Sequence, residues 1–555
     1  MSLERDTKNY YSIIQGVNFM KRLITLFLVL CLLLTGCSAL DFGGYIDNLL
    51  PALTGVTDFS QMKYTRPDMA AMEKDVQDLC AQAATEANLD ALMEEIFAFY
   101  DLYDGFSTAY NLAMIHYYQD LSSSYWQEEY DFCMDHASDA DAALDKLYRA
   151  LAKSPLRDKL EGDDYFGADY FDYYEGESLY DEALLAMMDE EAQVLSRYYA
   201  VSAEAAGLDP YSDAYLSRFA PQLTDILLDL VRVRQGIAIY CGYVSYPEFA
   251  YDFYYYRDYT LAQSISYLAD IRAQLVPLYK NLLQSDFWDV PASVASEAET
   301  FAYLSSMAKN MGGQVADAFK TLQKGHLYDI APGENKYTIS FEVYLPSYYV
   351  PFVFVNPMGN SFDKLTFAHE FGHFCSDYVS FGSVAGVDVA EIFSQGMEYL
   401  SLCYADGGAE LEKLKLADCL CLYVEQAALA SFEQQLYNLH DDALTAEAVE
   451  HLYAEVCAAY GISGENWDSR NFVTVGHYYT NPMYIISYVV SNDAALQLYQ
   501  LEREQKGKGL ACLESNLGTT QGQLLAFLES AGLKSPFETG RLTSVKELLQ
   551  QTLPY

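Results

Sequence analysis

Between Phe367 and Cys375 the chain reads Phe-Ala-His-Glu-Phe-Gly-His-Phe-Cys. No other stretch constrains the fold as tightly. His369 and His373 are spaced i,i+4, so on a helix they share one face, one turn apart. Two imidazoles in that geometry can hold one metal ion. Glu370 then lies roughly 100° around the same helix, where it can reach a water beside the metal without being a ligand. This donor pattern points to a zinc-dependent hydrolase. The competing reading is a pair of histidines hydrogen-bonded on the buried face of a core helix.

Three protein ligands plus a water are expected at a catalytic zinc, and a glutamate from a following helix commonly supplies the third. The motif helix should break at Phe381-Gly-Ser-Val-Ala-Gly386, with a new helix from Val387. Glu391 and Glu398 fall on one face of that second helix, seven residues apart. One can bind the metal and the other can orient a ligand histidine; spacing leaves the assignment open. Asp388, on the approach to the helix, is a weaker candidate. Further on, Gly476-His-Tyr-Tyr-Thr-Asn-Pro-Met-Tyr484 and Tyr488 offer His477, Tyr484 and Tyr488. A neutral imidazole or a phenol hydroxyl suits a developing oxyanion. A core helix with tyrosines bonded elsewhere would give the same pattern.

With 33 basic against 79 acidic residues the net charge is −46, which argues against nucleic acid and anionic lipid as partners. The acidity reads most simply as a solvated surface. The eleven cysteines show no CxxC pair and no even framework, so neither a disulfide scaffold nor a cysteine–zinc site is indicated. Cys375 points off the ligand face and reads as packing.

At the N-terminus, Lys21-Arg22 precede an apolar run from Leu23 to Leu34 that is too short to span a bilayer. It ends in Leu34-Thr-Gly-Cys37, a pattern resembling the lipobox of bacterial lipoproteins. Met20 is then the expected true start and Cys37 the lipidated residue. A lipid there would tether the body to the outer face of the membrane rather than thread it through. The expected organisation is a signal segment over 1–36, a tether over 37–65, an N-terminal helical domain over 66–230 and a catalytic domain over 231–555.

Helical periodicity begins after Arg66-Pro67-Asp68, with Pro67 suited to a first turn, and recurs at about 140–153, 177–206, 210–243 and 259–285. The aromatic stretch 249–259 reads as helix packing. Two β-branched and aromatic runs, 337–343 and 349–355, predict a small antiparallel ribbon immediately before the motif helix. An edge strand there could pair with an extended peptide backbone. Ser361 or Asp363 can cap the motif helix.

These features together resemble the oligoendopeptidase F branch of the thimet oligopeptidase family of zinc metallopeptidases. The resemblance is carried by Ile239-Tyr-Cys-Gly-Tyr-Val-Ser-Tyr246, Arg257-Asp-Tyr-Thr260, Gly325-His-Leu-Tyr-Asp329 and Pro351-Phe-Val-Phe-Val-Asn356. It continues in Leu365 to His373, Val389-Ala-Glu-Ile-Phe-Ser-Gln395, the His477 segment and Ala531 to Gly540. It covers roughly 230–550; residues 66–230 are similar only in being helical and acidic.

The resemblance implies a mainly α, zincin-type metallopeptidase with an elongated helical body and a deep channel admitting short unfolded peptides. It implies one zinc per chain held by His369, His373 and Glu391, with Glu398 behind a ligand and Glu370 as general base. His477 and Tyr484 would act on the transition-state oxygen, and Tyr488 on substrate. The family's tyrosine segment often carries glycines, whereas this one has Thr480-Asn-Pro482. A monomer at the outer membrane face, cleaving short peptides, is expected; a surface lipoprotein that captures peptides without turnover is the alternative.

Overall fold

Residue 68 starts the helical body. Its carboxylate accepts from Ala71 N at 3.0 Å, so Asp68 is the N-cap of α1 (Met69–Ala83) and Pro67 stands just outside the helix. The structure is a computed structural model describing residues 58–553, apart from 163–164, 177–180, 206, 290–292, 383–384, 465–466 and 520. The signal segment, Cys37 and the tether up to residue 57 lie outside the described residues. No described helix is long and apolar enough to cross a membrane.

After α1 come α2 (Leu89–Gln119), α3 (Ser124–Asp135), α4 (Ala137–Ala152), α5 (Glu182–Glu204) and α6 (Asp213–Tyr240). The long α2 serves two cores. Its first half gives Leu92, Ile96 and Phe99 to a cluster with α1 and α4, while Leu112, Ala113 and Ile115 join the main core. Each leucine, isoleucine or phenylalanine among them, fully buried, contributes about 1.5–3 kcal/mol. The helical pattern expected over 259–285 is two helices, Leu261–Gln274 and Val276–Leu283. Pro277, which has no N–H to donate, sits in the first turn of the second.

The expected ribbon is part of a three-stranded mixed sheet: β1 (Tyr328–Asp329), β2 (Phe341–Leu345) and β3 (Val350–Phe354), in the order β1-β3-β2. β2 and β3 pair antiparallel with Phe341 opposite Phe354 and Leu345 opposite Val350; β1 adds to β3 in parallel. The first strand starts later than residue 337 because Tyr337 is claimed by α2. Its N–H bonds Tyr118 O at 2.8 Å and its ring stacks on Tyr118, centroids 4.2 Å apart. β2 is left at the edge of the sheet.

The motif helix α7 (Phe362–Ser380) follows. Ser361 makes no side-chain cap bond. Asp363 instead accepts from the backbone N–H groups of Met358, Gly359 and Asn360 at 2.7, 2.7 and 3.0 Å, fixing the turn that leads into the helix. α7 ends at Phe381, which is left-handed with φ 55°. α8 (Val387–Tyr404) then packs against both α7 and α10 (Ile486–Glu504), with α9 (Gly408–Leu436) behind it. Cys375 is fully buried in the core.

Candidate metal centre

His369 and His373 stand one turn apart on α7 with ring centroids 5.1 Å apart. Glu391 rises from the second turn of α8 to meet them. Its Oε2 lies 3.4 Å from His369 Nε2 and its Oε1 lies 3.7 Å from His373 Nε2. The three donor atoms all fall within 4.8 Å of one another, the only such group of three metal-ligating side chains among the described residues. Ligands at roughly 2.0–2.2 Å from a tetrahedral zinc are about 3.4 Å apart, so this donor set fits zinc.

The approach depends on Gly372. A Cβ there would come within 2.6 Å of Phe393 O and Ser394 Cα. The α8 backbone therefore lies directly against α7, and Glu391, one turn earlier, is carried to the Nε2 side of both imidazoles. Ser394 Oγ donates to Glu391 Oε2 at 2.9 Å, fixing the carboxylate.

Glu398 is placed differently. Its Oε1 is 2.8 Å from His369 Nδ1, on the opposite edge of that ring from Nε2, which faces Glu391. Its Oε2 is 2.6 Å from Lys415 Nζ, and Lys415, fully buried on α9, also reaches Asp418 at 2.9 Å. Burial opposes the Glu398 charge, but Lys415 and His369 hold its carboxyl below the usual carboxylate range. A lysine–carboxylate–histidine chain thus orients the His369 ring from behind.

Electrostatics favour a cation here. Burial alone would lower the His369 pKa, but the Glu398 hydrogen bond and the Glu391 charge raise it to about 9. Burial, with the charge on His369, pushes His373 well below its ordinary value. Glu370 is buried beside them, and burial, reinforced by Glu391 and Glu398 against the pull of His369, raises its carboxyl to about 8. Asp388 is turned away from the cluster and faces Arg257, Oδ2 to Nε at 3.3 Å.

The segment from residue 477 to 488 forms the opposite wall. His477 opens a one-turn helix, Tyr484 precedes α10 and Tyr488 is in its first turn. The three rings converge: His477 to Tyr484 5.7 Å, Tyr484 to Tyr488 5.4 Å between centroids. His477 Nε2 lies 3.0 Å from the Tyr488 hydroxyl, and burial drops its pKa to about 4, so it is neutral. Tyr484 donates its hydroxyl to Glu391 Oε1 at 2.6 Å, a direct bond between the two walls. All three are half-buried yet strongly desolvated, as in side chains lining an interior cleft.

Sequence reasoning missed Lys415, Ser394, Gly372 and Arg257 as parts of this site. Gly372 lies within the motif, where a small residue between the histidines could have flagged close helix contact. Lys415 has no local signal, because its partner Glu398 is on another helix.

Residues 59–178 match the family model described as the Peptidase M3 N-terminal domain. Among solved structures, an X-ray structure described as an oligoendopeptidase F is 21% identical with TM-score 0.79, covering 89% of this chain and 98% of that one. A PZ peptidase A with inhibitor is 20% identical with TM-score 0.78, covering 89% and 99%. One described as an oligoendopeptidase F of Bacillus anthracis str. Ames is 19% identical with TM-score 0.76, covering 89% and 98%. Among proteins of curated function none matches. At such identities the structural likeness is one of fold.

Proposed function

On the premise that this chain carries an M3 peptidase N-terminal domain within the fold of the oligoendopeptidase F structures, we propose that it is a zinc-dependent endopeptidase of short, unfolded peptides. The observation that carries this reading is the convergence of His369, His373 and Glu391 with the buried Glu370 beside them. When bound there, zinc supplies Lewis acidity, polarising a substrate carbonyl and acidifying a neighbouring water.

Glu370 is the proton carrier: it accepts the water's proton as attack begins and returns it to the leaving amine. Glu398 and Lys415 hold the His369 ring so that Nε2 faces the donor cluster. Tyr484 and Tyr488 present hydroxyls to the oxygen that gains charge, with neutral His477 keeping Tyr488 in place. For Tyr484 this means leaving Glu391 Oε1 for the substrate oxygen. The β2 edge can take an extended peptide as an added strand, which gives affinity without sequence preference. A narrow interior cleft would exclude folded proteins. The Leu34-Thr-Gly-Cys37 sequence supports lipid attachment at Cys37 and a site of action at the outer face of the membrane.

Purified protein should hold about one zinc per chain and cleave an internally quenched peptide of about ten residues. Chelator should abolish cleavage, and Glu370→Gln should lower kcat about 10²–10⁴-fold while keeping the metal. A protein that takes up no metal after zinc soaking, or a Glu370→Gln variant as fast as the parent, would overturn the reading. Mass spectrometry of membrane-fraction protein should find an acylated Cys37; an unmodified chain retaining residues 20–36 would remove the lipid anchor.

A further inference from the structure

The wall that carries His477, Tyr484 and Tyr488 runs through irregular backbone between a one-turn helix and α10, and several of its carbonyls accept from side chains of distant parts of the chain. Arg234 of α6 donates to Tyr478 O at 2.8 Å and to Tyr479 O. Tyr255 donates its hydroxyl to Pro482 O at 2.8 Å. Met483 is held at both ends: its N–H donates to Glu433 Oε1 at 2.8 Å and its carbonyl accepts from Arg257 Nη2 at 3.0 Å. Met483 has φ 66°, a left-handed conformation that costs a residue with a side chain about 1–3 kcal/mol and persists only where its surroundings enforce it.

Arg257 does more than satisfy a carbonyl. The same Nη2 donates to Ser487 Oγ at 2.9 Å, so it brackets Tyr484 on both sides in sequence. Its Nε faces Asp388 in the first turn of α8, one turn before Glu391. The guanidinium lies over Tyr251 and Tyr255 at 4.4 and 4.5 Å from their centroids, with no side-chain exposure. Burying a guanidinium costs several kcal/mol unless its geometry is well matched. Here it touches both the helix that bears Glu391 and the segment that bears the tyrosines.

We propose that Arg257 is a positioning residue that locks the 477–488 segment in register with the first turn of α8, setting the distance of Tyr484 and Tyr488 from Glu391 and from the reacting carbonyl. It touches neither substrate nor metal. Lysine cannot replace it, because one ammonium cannot bracket Tyr484, reach Asp388 and stack on two rings together. The proposal deepens the peptidase reading, and its kinetic consequences rest on that reading; its structural consequence does not.

The test compares Arg257→Lys with Arg149→Lys, which alters a half-buried arginine–carboxylate pair of the N-terminal core, Nε to Asp145 Oδ2 at 2.7 Å. In the full chain, hydrogen exchange by mass spectrometry should show residues 477–488 exchanging at least tenfold faster in Arg257→Lys and unchanged in Arg149→Lys. On a quenched peptide, Arg257→Lys should lower kcat about 10–100-fold with KM within about threefold, zinc content unchanged. In a Tyr484→Phe background the same change should cost less, since the part that acts through the Tyr484 hydroxyl is already lost and only the part through Tyr488 remains. Asp388→Asn, which preserves shape, repeats the test should Arg257→Lys fail to fold. Unchanged exchange at 477–488 overturns the proposal whether or not the parent cleaves peptides. So does full additivity with Tyr484→Phe, or a kcat loss matched by Arg149→Lys. A parent that binds zinc and cleaves nothing, with exchange altered as expected, overturns the peptidase reading alone.

Discussion

The two sides of the candidate site reach the same place by opposite means. On the metal side, His369, His373, Glu391 and Glu398 project from regular helices whose own backbone bonds set their spacing. On the tyrosine side, Tyr484 stands on irregular backbone between a one-turn helix and α10, and the side chains of Arg234, Arg257, Tyr255 and Glu433 meet the polar groups of that segment. A site built on helices is positioned locally. One built on a loop borrows precision from residues between 50 and 245 positions away.

The sharpest break in that comparison is Glu391→Ala. Removing the third donor should take zinc content from about one per chain to near zero and abolish cleavage, read by metal analysis. Glu398→Ala should keep its zinc at saturating metal; the reverse pattern would exchange the two roles. Next in size, Tyr484→Phe should lower kcat about 10²–10³-fold with zinc retained, measured by single-turnover cleavage. A Tyr484→Phe variant with parental kcat would leave the tyrosine wall without a chemical part.

Lys415→Met probes the support behind the metal side. It strands Glu398 without its cation in a buried place, so zinc affinity should fall about 10–100-fold, read by competition with a chelating dye. Glu370 and the tyrosine wall should be untouched, so kcat at saturating zinc should stay near the parent's.

The smallest effect concerns His477. Its folded pKa, lowered to about 4 by burial, lies below the ordinary imidazole value near 6.5. Between those values the unfolded chain binds the extra proton, so this contribution to stability is present above pH ~6.5 and is lost as pH falls towards 4. Thermal melts from pH 7 to 4.5 should show a steeper loss for the parent than for His477→Gln. Equal slopes would mean that the imidazole is solvated.

The helical body was legible because apolar residues recur with helical period; the observed helices depart from the expected spans at an end, as at Pro67, or by an interior break, as before Pro277. The resemblance to the oligoendopeptidase F branch, drawn from short stretches over about 230–550, agrees with the shared fold, while the family-model match falls on residues 59–178, where the sequence offered only helical and acidic character. The strand start was misplaced because Tyr337 pairs with Tyr118 on α2, a contact that no local pattern contains. The sheet's third strand, Tyr328–Asp329, is too short to leave a periodic signal.

By itself the sequence determined that His369, Glu370 and His373 share one helix, because i,i+4 spacing and helical pitch are local facts. Spacing brought Glu391 and Glu398 to a second helix and left the two open, and the resemblance to the oligoendopeptidase F branch implied Glu391. The tertiary structure decided where each one points: Gly372 lets the two backbones touch, which presents Glu391 to both Nε2 atoms and Glu398 to the far edge of His369. It also decided what surrounds the site, since Lys415 and Arg257 act across helix contacts that spacing along a chain cannot encode.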